Sequence, residues 1–231
     1  MRVEGRVVEP ADWGYSKPRE LFFLLCSSPP RTRDQLGLAL WPDLGNNQLR
    51  NALHSALRDM RRALGDRDWV VFSAGRYGFN EDRPHRYDVS EFESAMAVAK
   101  RLPGPEALPH LQRAVHIYKG DFLDGVSAGE WAEARRAELR RGYEMALSAA
   151  GAILANSGQL QQAVQIYEQA IAHEPLDEAA HRELMKCWAR LGEPARAIRH
   201  YQRLQDLLRK ELGAPPAAGT ARLYEKLRAG A

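Results

Sequence analysis

Cysteine is scarce in this chain, with only two residues among 231. Cys26 and Cys187 lie far apart within apolar helical patterns, and such a pair makes neither a disulfide framework nor a metal-binding motif. Long apolar runs are also absent, because no stretch approaches the roughly 20 residues that a helix needs to cross a bilayer. Residues 1–12 alternate charged and apolar types and lack the layout of a signal peptide. These absences predict a cytoplasmic protein with no membrane span.

The residue combinations that enzymes and cofactor-binding proteins use are missing as well. The seven histidines and two cysteines assemble no metal constellation, no activated nucleophile and no paired carboxylates at a plausible cleft. No glycine-rich phosphate loop of the Walker or dinucleotide type occurs. We therefore expect no enzyme, no cofactor and no metal site, and a role for His54 as a catalytic base has no support.

Positive charge is concentrated in the N-terminal third of the chain. Residues 1–87 contain 14 Lys and Arg against 11 Asp and Glu, whereas residues 88–231 contain 19 of each. Residues 46–64 alone hold four arginines and one aspartate. This local excess, rather than the total, indicates an anionic partner.

Residues 46–64 have the pattern of an amphipathic helix. Apolar residues recur every three or four positions, at Leu49, Leu53, Leu57, Met60 and Leu64. We expect Asn46 to cap this helix and Gly65 to end it. The opposite face is polar and mostly basic, and it carries Asn47, Arg50, Asn51, His54, Arg58 and Arg61. A solvated surface helix would show the same pattern, so the neighbouring elements must decide between the two interpretations.

Those neighbours have the order of a winged helix-turn-helix. A helix is predicted over 17–28, and Thr32 with Gln35 forms a capping box that starts a second helix ending at Leu40. Strand-like runs at 69–72 and 76–79 predict a β-hairpin after the third helix. In this arrangement the third helix enters the major groove, and the hairpin wing lies along the neighbouring backbone or minor groove.

Twelve polar residues of this region have a predicted role on DNA. Arginine forks suit guanine and phosphate, and asparagine amides suit adenine. The expected base contacts are Asn47, Arg50, Asn51, His54 and Arg58. Helix starts and the wing favour phosphate, and the expected phosphate contacts are Lys17, Arg19, Thr32, Arg33, Arg61, Arg62 and Arg76. For Arg61, a structural role that ties the helix to the hairpin is an equal alternative.

The rest of the chain has only helical signals. Helices are predicted over 90–101, 106–118, 130–156, 160–173, 177–191, 195–212 and 220–227. Gly158 and Gly192 are 34 residues apart, as are Ala163 and Ala197, and Tyr167 and Tyr201. Trp188, Leu191 and Gly192 fit the beginning of the tetratricopeptide pattern, whose period is also about 34.

Such repeats predict a right-handed solenoid of about three helical hairpins and a capping helix. We expect its groove to bind a protein or peptide. A purely structural spacer, or a small-molecule or nucleotide effector in the groove, stays open as an alternative.

Taken together, these stretches resemble the bacterial antibiotic regulatory protein (SARP) type of transcriptional activator. The resemblance runs nearly end to end and includes Leu-Trp-Pro-Asp at 40–43 and Tyr-Lys-Gly-Asp-Phe-Leu at 118–123. Its other matching stretches are 17–21, 53–65, 75–77, 88–92, 131–136, 175–178, 184–185 and 210–213. Two departures are a shorter strand region before the first helix, which indicates a module of a larger regulator, and Met60 where leucine is usual.

The resemblance implies binding to direct repeats upstream of promoters and contact with RNA polymerase, often through its sigma factor. The predicted fold is mainly α, with a winged helix-turn-helix domain at 1–84 followed by an all-α tetratricopeptide-like domain at 88–231. The expected partners are double-stranded DNA, RNA polymerase or sigma factor, and a second copy on DNA. The alternatives are a helical-repeat adaptor, in which the winged helix contacts protein, and a ligand sensor that gates DNA binding.

Overall fold

The computed structural model describes residues 2–3, 6–126 and 128–230, and for residues 2 and 3 only the backbone. By its internal contacts the chain divides into two compact units. The first, here called the N-terminal unit, comprises residues 1–89 and 120–139. The second, here called the repeat unit, comprises residues 90–119 and 140–231. The domain boundary near residues 84–88 stays a prediction, and residues 120–139 fall with the N-terminal unit in this division.

The N-terminal unit holds the three predicted helices and five short strands. The helices are α1 (Ser16–Cys26), α2 (Arg33–Leu40) and α3 (Asn46–Leu64). The strands are β1 (Arg2–Val3), β2 (Arg6–Val7), β3 (Arg31–Thr32), β4 (Val70–Ser73) and β5 (Arg76–Phe79). Strands β1 and β2 pair antiparallel, and the intervening residues 4 and 5 lie outside the described chain.

Helix α3 has the bounds that its pattern predicts, but its cap differs from the prediction. The N-cap is Gly45, and Asn46 is the first helical residue, so the side chain of Asn46 does not cap the helix. Gly65 adopts a left-handed conformation at φ 77° and ends the helix as expected. The apolar seam is buried as predicted, because Leu53 and Met60 have no exposed surface.

The hairpin is part of a three-stranded antiparallel sheet in the order β3-β5-β4. Ala74 and Gly75 both have positive φ values, which is the backbone geometry of the tight two-residue turns that join hairpin strands. Strand β3 was not predicted, because two residues that follow two prolines carry no periodicity. Its pairing of Arg31 with Tyr77 ties the start of α2 to the wing.

One apolar cluster holds the helices and the sheet of the N-terminal unit together. Leu21 and Leu24 of α1, Leu36 of α2 and Leu53 of α3 belong to it and are almost completely buried. Gly37 of α2 lies directly against Leu49 of α3, and a Cβ atom at Gly37 would clash with the leucine Cδ2 atom. A residue without a side chain therefore lets α2 approach α3 closely.

The repeat unit is helical throughout the part that the structure describes. Its helices are α4 (Asp88–Arg101), α5 (Leu108–Ile117), α6 (Glu130–Asn156), α7 (Leu160–His173), α8 (Glu178–Arg190), α9 (Pro194–Leu212) and α10 (Ala218–Ala229). The first residues of α4 and α6 belong to the N-terminal unit by the division above. Helices α7 to α10 pack in sequence, each against the next. No helix among the described residues is long and apolar enough to span a membrane.

The 34-residue repeat is real, but its phase differs from the sequence interpretation. Gly158 and Gly192 both have φ near 80° and occupy turns between helices. The Trp188–Gly192 stretch therefore ends a helix instead of beginning one. The close helix crossing lies at Gly151 in α6, where an added Cβ atom would meet the Tyr167 ring at 2.7 Å.

We expect two histidines of the repeat unit to make the stability of the fold sensitive to acid. His181 and His200 share a hydrogen bond of 2.7 Å between Nδ1 and Nε2, and His181 is 3% exposed. Burial lowers the pKa of His181, and burial followed by neighbouring positive charges lowers the pKa of His200 to about 4. Since unfolded histidine has a pKa of about 6.5, the unfolded chain binds more protons, and the free energy of unfolding falls as pH decreases from about 6.5 toward 4.

The test compares the urea midpoints of circular dichroism at about pH 7 and pH 5. The wild type loses more stability over this interval than His200→Gln. The exposed His116 supplies the matched control, and His116→Gln keeps the wild-type loss. Equal losses in the wild type and His200→Gln would show that the pair is not the acid-sensitive group.

Candidate DNA-binding surface

The exposed face of α3 is the candidate nucleic-acid surface. Because the apolar seam faces the core, the polar residues between its members are turned to solvent. All of the α3 residues that the sequence assigned to DNA are exposed, and they are Asn47, Arg50, Asn51, His54, Arg58, Arg61 and Arg62. The first turns of α3 and its last turns therefore contribute to one continuous basic surface, here called the α3 face.

The two halves of the α3 face differ in their contacts with the rest of the protein. The side chains of Arg50, Asn51 and His54 make no hydrogen bond or ion pair with the described residues. In contrast, Arg58 donates to Ser55 Oγ at 3.1 Å and to Asp59 Oδ1 at 3.3 Å. The N-terminal half of the face thus keeps its donors and acceptors available for another molecule.

Asp59 holds two arginines of the α3 face, and the sequence did not identify it. Its side chain is 10% exposed and accepts from both Arg58 and Arg62. Burial alone would raise the pKa of Asp59, but hydrogen bonds and positive charge from the two arginines hold the pKa below its usual value. The carboxylate therefore stays ionised and orients two guanidinium groups along the α3 face. The i, i+3 spacing of Asp59 and Arg62 indicates an ion pair of this kind from the sequence alone.

At the start of α1 the two predicted phosphate contacts are only partly accessible. The ammonium of Lys17 donates to Glu20 Oε2 at 2.9 Å, and this side chain of Glu20 is 3% exposed. Arg19 is half-buried, and its Nε atom has no hydrogen-bond partner within the described chain. A phosphate at this helix start would have to compete with Glu20 for the charge of Lys17.

At the start of α2 the side chains mainly organise the protein itself. The capping box forms as predicted, because Gln35 N–H donates to Thr32 Oγ1 and Thr32 N–H donates to Gln35 Oε1. Arg76 of the wing donates to the Pro30 carbonyl at 3.2 Å and to Gln35 Oε1 at 3.4 Å. Arg33 remains exposed, and its ion-pair partner among the described residues is the adjacent Asp34. These contacts fix the wing beside the start of α2.

The wing carries an aromatic surface that the sequence reasoning did not assign. Phe72 is 62% exposed, and its ring centroid lies 4.6 Å from that of Tyr77 on the neighbouring strand. Val71 is 40% exposed beside it. The wing therefore offers apolar as well as charged contacts next to Arg76.

The width of α3 suits the major groove of double-stranded DNA. A helix with its side chains is about 10–12 Å across, and the major groove of B-DNA is about 12 Å wide. Arginine forks and asparagine amides can pair with guanine and adenine edges in that groove, and Arg50 and Asn51 expose one of each. A rigid, buried seam beneath them limits the conformational entropy that binding would cost.

Comparison with known proteins gives three findings. The sequence pattern of the family described as bacterial transcriptional activator domain matches residues 87–228. Regulatory protein AfsR of Streptomyces coelicolor is 26% identical over 208 residues, which cover 88% of this chain and 21% of that protein. The structure of Mycobacterium tuberculosis EmbR in complex with a low affinity phosphopeptide aligns with a TM-score of 0.70 at 20% identity, covering 94% of this chain and 60% of that one. The likeness to EmbR concerns the fold, and the chain spans about a fifth of the length of AfsR.

Proposed function

Because this chain belongs to the bacterial transcriptional activator domain family, we propose that it is a sequence-specific DNA-binding activator that reads DNA with the α3 face. Membership of the family makes the chain a transcription regulator. The resemblance to SARP-type regulators and the mainly helical fold with a small N-terminal antiparallel sheet are confirmed. The DNA contacts, the promoter arrangement and the polymerase contact belong to the proposal.

The observation that carries the proposal is the accessibility of the α3 face. Arg50, His54 and Arg58 are exposed, and the side opposite them is sealed in the core. An ordinary surface helix would also be exposed. Helix α3, however, packs closely against the capped helix α2 and is followed by a hairpin wing that Arg76 joins to the start of α2. The whole arrangement supports a reading helix in the major groove.

The proposed contacts follow from the hydrogen-bonding groups that each side chain has left for DNA. Asn47, Arg50, Asn51 and His54 read base edges, because their polar groups are uncommitted within the described chain. Arg58 contributes to base reading from an orientation that Asp59 sets. The proposed phosphate contacts are Lys17, Arg19, Thr32, Arg33, Arg61, Arg62 and Arg76.

Arg33→Ala tests the phosphate assignment. Removing one phosphate contact weakens binding to all duplexes alike and reduces the slope of log affinity against log salt by about one. Fluorescence anisotropy on a selected and a scrambled duplex, at several salt concentrations, measures both effects. Arg67→Ala is the matched control, because Arg67 is also exposed and also pairs with the adjacent aspartate. Identical slopes for the two variants would remove Arg33 from the contact set.

We further propose that two copies bind adjacent direct repeats and that the repeat unit contacts RNA polymerase or its sigma factor. Selection of bound DNA from a random pool tests the first part, since two copies in tandem enrich a motif repeated in the same orientation. Enrichment of a single motif, or of an inverted pair, would contradict it. Transcription from a weak promoter that carries the selected site tests the second, and no stimulation by the chain would contradict an activator.

A further inference from the structure

A cavity of about 360 Å³ lies in the repeat unit between α7 and α9, above α8. Its polar and aromatic lining includes Glu168 of α7, Trp188 of α8, and Arg196, Arg199, His200 and Arg203 of α9. Arginines at positions 196, 199 and 203 recur every three or four residues, so all three guanidinium groups emerge on one side of α9. The cavity is therefore walled by positive charge.

Only one of the three arginines has its charge matched. Arg196 pairs with Glu168 and Glu193 at 3.3 Å, and its guanidinium lies 4.5 Å from the centre of the Trp188 ring. The side chains of Arg199 and Arg203 are exposed and have no hydrogen-bond or ion-pair partner among the described residues. Two positive charges of the cavity are thus uncompensated.

Trp188 gives the cavity an aromatic wall. This residue is 4% exposed, and its indole Nε1 atom is buried. A ligand in the cavity would therefore contact charged guanidinium groups beside an aromatic ring.

The histidine pair fixes which nitrogen of His200 can change its protonation. The Pro175 carbonyl can only accept, so His181 Nε2 carries a proton and the neutral His181 presents Nδ1 as an acceptor. His200 Nε2 must then donate the 2.7 Å bond to His181. The remaining nitrogen of His200, Nδ1, is an acceptor that can take up a proton without disturbing the pair.

From these features we propose that the cavity binds a small molecule bearing a phosphate group, held by Arg199 and Arg203 with Arg196, and that His200 takes up a proton when it binds. Guanidinium forks match phosphate oxygens in pairs, and a phosphate has enough oxygens to serve more than one arginine. The volume of this open cavity lies at the lower end of the range of about 300–1,000 Å³ for small-molecule sites, which suits a small ligand rather than a long peptide.

Proton uptake follows from the charges around His200. Burial lowers its pKa, and so do the neighbouring His181 ring and the positive charges of Arg203 and Arg196. Glu168 of α7 is the acidic group on the cavity wall. A bound anion offsets those positive charges and hydrogen-bonds to the protonated Nδ1, so it raises the pKa of His200. Protonation of His200 therefore strengthens phosphate binding.

The first test is calorimetric titration of the full chain with pyrophosphate, and with citrate as a carboxylate of comparable charge. The double variant Arg199→Gln with Arg203→Gln raises the dissociation constant for pyrophosphate at least about tenfold. Two control variants keep the wild-type value. Arg209→Gln removes an exposed arginine further along α9, and Arg50→Ala removes charge from the α3 face. Citrate binds more weakly than pyrophosphate.

Three outcomes overturn the phosphate site. They are no binding of millimolar pyrophosphate, a double variant that binds as the wild type does, and citrate that binds as tightly as pyrophosphate. Loss of binding in Arg50→Ala would likewise overturn it, because the pyrophosphate would then be bound at the α3 face.

The second test follows the His200 ring by NMR with and without saturating pyrophosphate. The proposal expects an upward shift of the His200 pKa on binding. At one acidic pH, His200→Gln binds pyrophosphate more weakly than the wild type does, and at alkaline pH the two bind alike. An unchanged pKa, or equal affinities at acidic pH, contradicts the role of His200.

Discussion

Arg50→Ala lowers the affinity for the selected DNA site by about 5- to 150-fold, the equivalent of about 1–3 kcal/mol. Arg50 is exposed on the first turns of α3 and has no partner within the described chain, so its fork is free to pair with guanine. Its loss removes a base contact without disturbing the core. Fluorescence anisotropy on the selected duplex and on duplexes with one altered base pair measures the effect.

The assignment of Arg50 as a base contact depends on how the loss of affinity differs between duplexes, more than on its size. Arg50→Ala should discriminate less at one base pair, where the altered duplexes approach the affinity of the selected one. The matched control Arg67→Ala removes the same charge from an exposed site outside the α3 face, and it keeps full discrimination at every position. If Arg50→Ala weakened all duplexes alike, Arg50 would be a phosphate contact.

Leu53→Ala lowers the free energy of unfolding by about 2–5 kcal/mol, because it opens a cavity in the core of the N-terminal unit. Leu53 is 0% exposed and packs in the cluster that joins α1, α2 and α3. The expected consequence is loss of DNA binding at temperatures where the variant unfolds. Urea denaturation followed by tryptophan fluorescence measures the change, since Trp13 and Trp69 are buried in the same cluster.

Leu38 offers the matched control for Leu53. It is also a leucine on a helix of the N-terminal unit, but it is 78% exposed. Leu38→Ala should change the free energy of unfolding by no more than about 0.5 kcal/mol. Comparable losses in the two variants would mean that the seam of α3 is not the core of the unit.

The elements that periodicity controls could be predicted from the sequence. The bounds of α3 follow from leucines every three or four residues, and the left-handed Gly65 ends it. The capping box at Thr32 is equally local, because both partners lie within four residues. In each case the physical cause lies in neighbouring residues of one helix.

Features that depend on distant residues could not be predicted. Strand β3 exists because β5 pairs with it across more than forty residues of chain. Trp188 led to an incorrect phase for the repeat, since it lies near the end of α8 and not at the start of a helix. The residue that permits close helix crossing is Gly151, and only the Tyr167 ring packed against it identifies it. The orienting role of Asp59 similarly depends on its burial, which the charge pattern alone does not report.

The most direct test of the reading helix replaces the purines of the selected duplex with 7-deazapurines. This change deletes the N7 acceptor of the major groove and leaves the minor groove and the phosphates intact. Because arginine pairs with guanine N7 and asparagine with adenine N7, the account predicts a large loss of affinity on the substituted duplex. Binding of the fully substituted duplex with wild-type affinity would show that α3 does not read bases in the major groove.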